Sequence, residues 1–189
     1  MQPRKRCRRY NDSGHAHFVT YSCYRRRPFL TRDRSRLWTR DAIAAACEKH
    51  AYDLWAYVIM PEHVHLLVSP RDADYDMSRF LASVKLPVSR RAAAFVERDA
   101  PQFKRWMRHR SASGRESLRF WQHGGGFDAN LTSPIEVHQT IDYIHANPVR
   151  RGLCERAEDW PWSSAAAFAG DKSPIPIAFD SIPAVTPND

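Results

Sequence analysis

The sequence predicts an α+β protein, with a ferredoxin-like antiparallel sheet, helices packed on one face, and an additional late helix that carries Tyr143. Three observations predict it. The elements run strand–helix–strand–strand–helix–strand, the order of a split βαβ sandwich. Two apolar runs rich in β-branched and aromatic residues flank Met60-Pro61-Glu62 within Leu54–Ser69, which reads as two strands joined by a tight turn. Ser133-Pro134-Ile135-Glu136 combines an N-cap serine, a proline at the first helical position and a capping-box glutamate, which together open the late helix.

The elements follow in order. Residues 1–16 form a basic arm, 17–168 the folded domain, and 169–189 a Pro-rich tail expected to be loose. His17 to Tyr24 alternates apolar and polar residues and reads as the first strand. A helix from about Thr31 to His50 draws its apolar face from Leu37, Trp38, Ile43 and the alanines. After the hairpin, a second helix spans Asp76 to Arg98, with Phe80, Leu81, Val84, Val88 and Phe95 inward, and Pro87 is expected to kink or split it. Lys104 to Ser117 lacks periodicity and reads as a mobile loop. Leu118 to Gln122 reads as a short strand closed by Gly124-Gly125-Gly126, a flexible turn with no assigned chemistry. The late helix, with Val137, Ile141 and Ile144 as its apolar face, is expected to stop near Asn147 because Pro148 follows. Trp160 and Trp162 are expected to pin the segment beyond it.

Charge narrows the partner. The chain carries 29 Lys+Arg against 21 Asp+Glu, a formal charge of +8, and the excess is mostly arginine, whose planar fork matches phosphate. Three clusters are candidate DNA contacts: Arg4, Lys5, Arg6, Arg8 and Arg9; then Arg25, Arg26 and Arg27; then Lys104, Arg105, Arg108, Arg110 and Arg115. The four cysteines are widely spaced without a C-x-x-C pair, which argues for reduced thiols rather than a disulfide framework or zinc ribbon. No run is long and apolar enough to span a membrane, and the basic N-terminus lacks a signal-peptide core. The expected location is therefore the cytoplasm, in association with the nucleoid.

Two spacings carry the chemistry. On a strand, residues i and i+2 share a face, so His63 and His65 project together while Val64, Leu66 and Val68 face the other way. Two imidazoles on one rigid element suit a divalent metal, although such pairs are more often packed or solvent-facing residues without a ligand. On the late helix Tyr143 and Asn147 lie one turn apart and reach a common point. Read alone, Tyr143 is a half-buried residue at a domain edge and Asn147 a helix-terminal residue before proline. Against the histidines they make a different sense. A free phenol ionises only near pH 10, and a nearby cation stabilises developing phenolate and polarises phosphate. Two imidazoles and one amide oxygen leave coordination positions open for phosphate and water.

The segments His17–Leu30, Met60-Pro61-Glu62-His63-Val64-His65-Leu66-Leu67, Phe120-Trp121-Gln122, Tyr143-Ile144-His145-Ala146-Asn147-Pro148-Val149-Arg150-Arg151-Gly152-Leu153 and Asp159-Trp160-Pro161-Trp162-Ser163-Ser164 occur in that order. Together they resemble the REP-associated tyrosine transposases, a branch of the single-tyrosine HUH transposases, over His17 to Phe168. The resemblance implies that His63 and His65 bind metal, that Asn147 stands where a third ligand is expected, and that Tyr143 is the nucleophile. It implies Mg²⁺ or Mn²⁺, cleavage of single-stranded DNA beside a hairpin, and a covalent 5′-phosphotyrosine link that a 3′-hydroxyl later resolves. A monomer is expected, with a homodimer as the alternative. His15, His17, His123 and His145 are expected to be structural or DNA-facing. Two other functions compete: a hairpin-binding protein without catalysis, and a metal-dependent phosphohydrolase that uses water and does not need Tyr143.

Overall fold

Period-two patterning around Met60-Pro61-Glu62 builds a hairpin from β2 (Tyr52–Ile59) and β3 (His63–Pro70), closed by a bond from the Met60 amide to the His63 carbonyl at 2.8 Å. This computed structural model describes residues 10–124 and 126–186. The arm expected at Arg4, Lys5, Arg6, Arg8 and Arg9 lies outside the described residues. β1 (Ala16–Ser22) pairs antiparallel with β3, with Thr20 opposite His65 and Ser22 opposite His63. The sheet order is β2-β3-β1-β6, the fourth strand being β6 (Phe127–Leu131). The histidine strand therefore sits inside the sheet, as expected.

Alternation along β3 divides two cores. Val64, Leu66 and Val68 join the cluster under α1 (Asp33–Lys49) and α2 (Met77–Arg98), while Leu67 joins the cluster that receives Val137, Ile141 and Ile144 of α4 (Pro134–Arg150). Each fully buried Val, Leu or Ile contributes about 1.5–3 kcal/mol relative to exposure, so the two faces are strongly specified. His17 belongs to the scaffold: it is buried and bonded to Asp128 Oδ1 at 2.9 Å and to the Tyr75 hydroxyl at 2.8 Å.

Several expectations are corrected. Pro87 does not split α2, which runs unbroken from an Asp76 cap whose carboxylate accepts from the Ser78 and Arg79 amides. Pro87 is exposed, so water can satisfy the carbonyl its missing N–H leaves free. Pro148 does not end α4 either. The helix continues to Arg150 and stops in a Schellman motif, with Leu153 N bonded to Pro148 O and Gly152 N to Val149 O, Gly152 having φ 63°. Ser133 is the N-cap by backbone, but its hydroxyl makes no capping bond.

The fourth strand is not Leu118–Gln122. Phe120 and Trp121 are buried plugs, and Trp121 forms a single bridge to Cys23. Lys104–Ser117 is ordered as a short helix α3 (Lys104–Met107) and a ribbon of β4 (Arg108–Arg110) with β5 (Glu116–Leu118), anchored by buried Met107. The tail is not loose over the described residues. The segment beyond α4 includes α5 (Ala165–Phe168), Trp160 bonds Ile59 O, Ile175 enters the main core, Ala178 N bonds Leu54 O, and Ser181 Oγ accepts from Trp55.

Gly126 is more than part of a flexible turn. Its φ is +75°, and an added Cβ would stand 2.1 Å from the Thr20 carbonyl oxygen, on backbone that cannot yield. Gly126→Ala is expected to cost roughly 2 kcal/mol or more in a urea unfolding measurement. A variant as stable as wild type would show that this crossing is not required.

Candidate active site

Strand geometry aims both imidazoles at one point. His63 Nε2 and His65 Nε2 are 3.0 Å apart, and their rings are nearly perpendicular at 83°. The opposite ring nitrogens are held separately. His63 Nδ1 donates to Glu62 Oε1 at 3.1 Å, and His65 Nδ1 is bonded to Thr20 Oγ1 at 2.6 Å. Both rings are buried, and burial pushes both below the usual histidine range, His65 to about 3. For His65 the neighbouring His63 adds to the depression, and a hydrogen bond to the Asn147 amide oxygen partly offsets it. Burial pushes the Glu62 carboxyl up, but the Arg151 hydrogen bond and His63 outweigh it, leaving it below the carboxylate range. The site therefore holds neutral imidazoles beside an ionised carboxylate.

α4 brings a stripe of residues at steps of four over this point: Tyr143, Asn147 and Arg151. The Tyr143 ring lies 5.6 Å from the His65 ring and 5.8 Å from Phe18, centroid to centroid, and is 41% exposed. Arg150 lies over the Tyr143 ring at 5.4 Å. Asn147 Nδ2 donates to the Tyr143 carbonyl at 2.7 Å, which leaves its amide oxygen to face His65. Arg151 Nη1 donates to Glu62 Oε1 at 2.6 Å. The apolar edge of α4 docks on the sheet, which turns this polar stripe toward β3.

These residues fit a hard or borderline divalent ion. Adjacent ligands about 2.1 Å from an octahedral ion stand about 3 Å apart, which is the separation of the two Nε2 atoms. Among the described residues no group of three or more His, Cys, Asp or Glu is placed to hold a metal ion, so the donors an ion would find here are the two imidazoles and the Asn147 amide oxygen. Three such donors would leave positions open on an ion held there.

Of the predicted DNA contacts, two clusters come together. Arg25 and Arg26 both hold left-handed backbone, with φ of 56° and 52°, and the Arg25 amide is bonded to Gln122 Oε1. Arg26 acts electrostatically on His63 and lines a cleft with Thr20, Ser22, Lys85, Gln122 and Phe127. Arg27 stacks on Trp106 at 4.5 Å and donates to its carbonyl, joining this turn to the ribbon segment. Lys104 pairs with Glu97 at 3.8 Å, Arg105 lies 5.1 Å from the Trp106 ring, Arg108 pairs with Glu116, and Arg110 donates to the Gly114 carbonyl. Arg115 closes the ribbon turn through its backbone bonds with Ser111. Sequence reading missed Thr20, Glu62, Arg150 and Arg151. For Arg151 a signal existed: it continues the Tyr143–Asn147 step of four. Thr20 and Glu62 become visible only through strand register and a bond across 89 positions.

Residues 11–147 match the family described as transposase IS200 like. A provisionally named REP-associated tyrosine transposase of Haemophilus influenzae is 30% identical over 125 residues, 66% of this chain and 65% of the relative, so the chain spans about two thirds of that protein's length. The REP-associated tyrosine transposase of Escherichia coli K12 is 26% identical over 160 residues, 83% of this chain and 80% of the relative. A solved structure of a REP-associated tyrosine transposase bound to a REP hairpin superposes with a TM-score of 0.68 over 90% of this chain and 86% of that one. At 22% identity that last likeness is one of fold.

The buried imidazoles give stability a pH dependence. Unfolded histidine takes up a proton near pH 6.5, whereas burial holds His145 to about 4 and His65 to about 3. Between those values the unfolded chain binds more protons. The stability is thus complete above about pH 6.5 and declines on acidification toward pH 3. Urea unfolding at pH 7.5, 5.5 and 4.5 is expected to show that decline, with the His65 and His145 ring NMR shifts still those of neutral imidazole at pH 5.5. Rings already protonated at pH 5.5 would contradict it.

Proposed function

The chain belongs to the IS200-like transposase family, and from that premise we propose that it is a metal-dependent single-stranded DNA endonuclease and strand transferase acting at hairpin DNA. The observation that carries this reading is the convergence of Tyr143 and Asn147 on the paired imidazoles, with the Tyr143 and His65 rings 5.6 Å apart. Hairpin DNA as the substrate is supported by the relative solved with a REP hairpin and by the arginines of the β1–α1 turn and the ribbon.

The chemistry divides among named groups. His63 Nε2, His65 Nε2 and the Asn147 amide oxygen would hold a divalent ion, Mg²⁺ or Mn²⁺, which would polarise a phosphate oxygen and stabilise charge at the phosphorus. Tyr143 Oη attacks the phosphorus while the bond to the 3′-oxygen breaks. The phenol gives up its proton, the leaving 3′-oxygen takes one from solvent, and the products are a 5′-phosphotyrosine and a free 3′-hydroxyl. One phosphodiester replaces another, so a later 3′-hydroxyl reverses the step without ATP. Arg150, beside the Tyr143 ring, supplies positive charge next to the phosphate. Tyr143 is partly exposed, as a group that must meet a polymer has to be.

Two measurements test the reading. Labelled single-stranded hairpin DNA with Mn²⁺ is expected to give a denaturation-resistant protein–DNA adduct. Tyr143→Phe is expected to bind DNA without forming it, and a chelator to suppress it. Cleavage that survives in Tyr143→Phe would instead favour a water-using phosphohydrolase, and binding without an adduct in wild type a non-catalytic hairpin protein. Replacing Arg108, Arg110 and Arg115 with Ala is expected to lower the salt slope of binding by about 0.7–0.9 for each phosphate that is no longer neutralised. An unchanged slope would remove the ribbon from the DNA interface.

A further inference from the structure

We infer that Glu62 is a positioning residue that couples the histidine pair to the tyrosine helix, an inference that rests on the functional reading above. Glu62 lies in the turn between β2 and β3, and its carbonyl accepts from the Cys23 amide at 2.8 Å, so its backbone is fixed. The residue is 8% exposed. One oxygen, Oε1, accepts both from His63 Nδ1 at 3.1 Å and from Arg151 Nη1 at 2.6 Å. An ionised carboxylate is only an acceptor, so Nδ1 must carry the ring proton. That leaves the lone pair on Nε2, the atom 3.0 Å from His65 Nε2. Oε1 sits on the far side of the ring from Nε2, so Glu62 acts through His63 and not on the ion.

The second bond reaches the helix. Arg151 caps α4, with its amide bonded to the Asn147 carbonyl at 3.1 Å, and it continues the stripe that bears Asn147 and Tyr143. A single oxygen therefore sets the ring of one candidate ligand and the end of the helix that supplies another ligand and the nucleophile. The Arg151 side chain is 53% exposed, so its ion pair contributes little to folding stability. Its effect belongs to geometry. An ångström of misplacement at a reacting group costs on the order of 100-fold in rate.

The test uses the whole chain and two readouts: Mn²⁺ affinity without DNA, by electron paramagnetic resonance titration, and the single-turnover rate of adduct formation at saturating Mn²⁺. Glu62→Gln is expected to weaken Mn²⁺ binding about 10- to 100-fold and to slow the adduct even when the metal is saturating. Arg151→Met is expected to weaken Mn²⁺ binding less than Glu62→Gln does, because it leaves the His63 ring bonded and disturbs only the helix end that bears Asn147, and to slow the adduct on the order of 100-fold, with Arg151→Lys recovering much of the rate. The double variant is expected to be no slower than Glu62→Gln alone, because the uncharged amide already loosens the bond that Arg151→Met removes. A wild-type adduct rate in Arg151→Met, or losses that multiply in the double variant, would overturn the coupling while leaving the functional reading intact. A wild type that forms no adduct would overturn both. If Glu62→Gln fails to fold, the two Arg151 variants, altered at a half-exposed side chain, decide the matter through the rate alone.

Discussion

The register of β3 against β1 is the constraint on which the site depends. With Thr20 opposite His65 and Ser22 opposite His63, the imidazoles face α4, and Val64 and Leu66 face α1 and α2. A slip of one residue would reverse every side chain on the strand. Two polar rings would then enter an apolar core, and aliphatic groups would line the site. The register holds because the cost falls on both faces together. Gly126, lying directly on the Thr20 backbone, adds a second fixed point beside His65.

α4 is gripped from two directions. Its apolar edge presses on the sheet through Val137, Ile141 and Ile144. On another side, buried His145 bonds Ser164 Oγ at 2.8 Å, and Ser164 in turn accepts from the Tyr57 amide on β2. His145 thus ties the helix to the segment that follows it, while Tyr143 and Asn147 face the histidines. The stretches Tyr143–Leu153 and Asp159–Ser164 are parts of a single mount.

The readable features were those with a local cause. Two-residue alternation revealed the histidine strand, and helical spacing put Tyr143 and Asn147 on one side of α4. What escaped was decided by partners distant in sequence. Phe120 and Trp121 look like a strand by composition, yet their bulk fills the core, and the short stretch Phe127–Leu131 takes the sheet edge instead. The ribbon strands Arg108–Arg110 and Glu116–Leu118 are too short for any periodicity to appear. Pro148 looked like a stop, but Gly152, free to adopt positive φ, sets the end of α4. The Glu62–Arg151 bond joins residues that only the folded chain brings together.

The segment after α4 also decides how the sheet meets other molecules. β2 is an outer strand, and its free polar groups would ordinarily invite another strand to add. Here Ile59 N bonds Trp162 O, Ser164 N bonds Tyr57 O, and Ala178 N bonds Leu54 O. That rim is already occupied from within the chain. Self-association by sheet extension across β2 is blocked while these bonds persist, and proteolytic removal of residues 157–186 would turn a closed border into a template for aggregation.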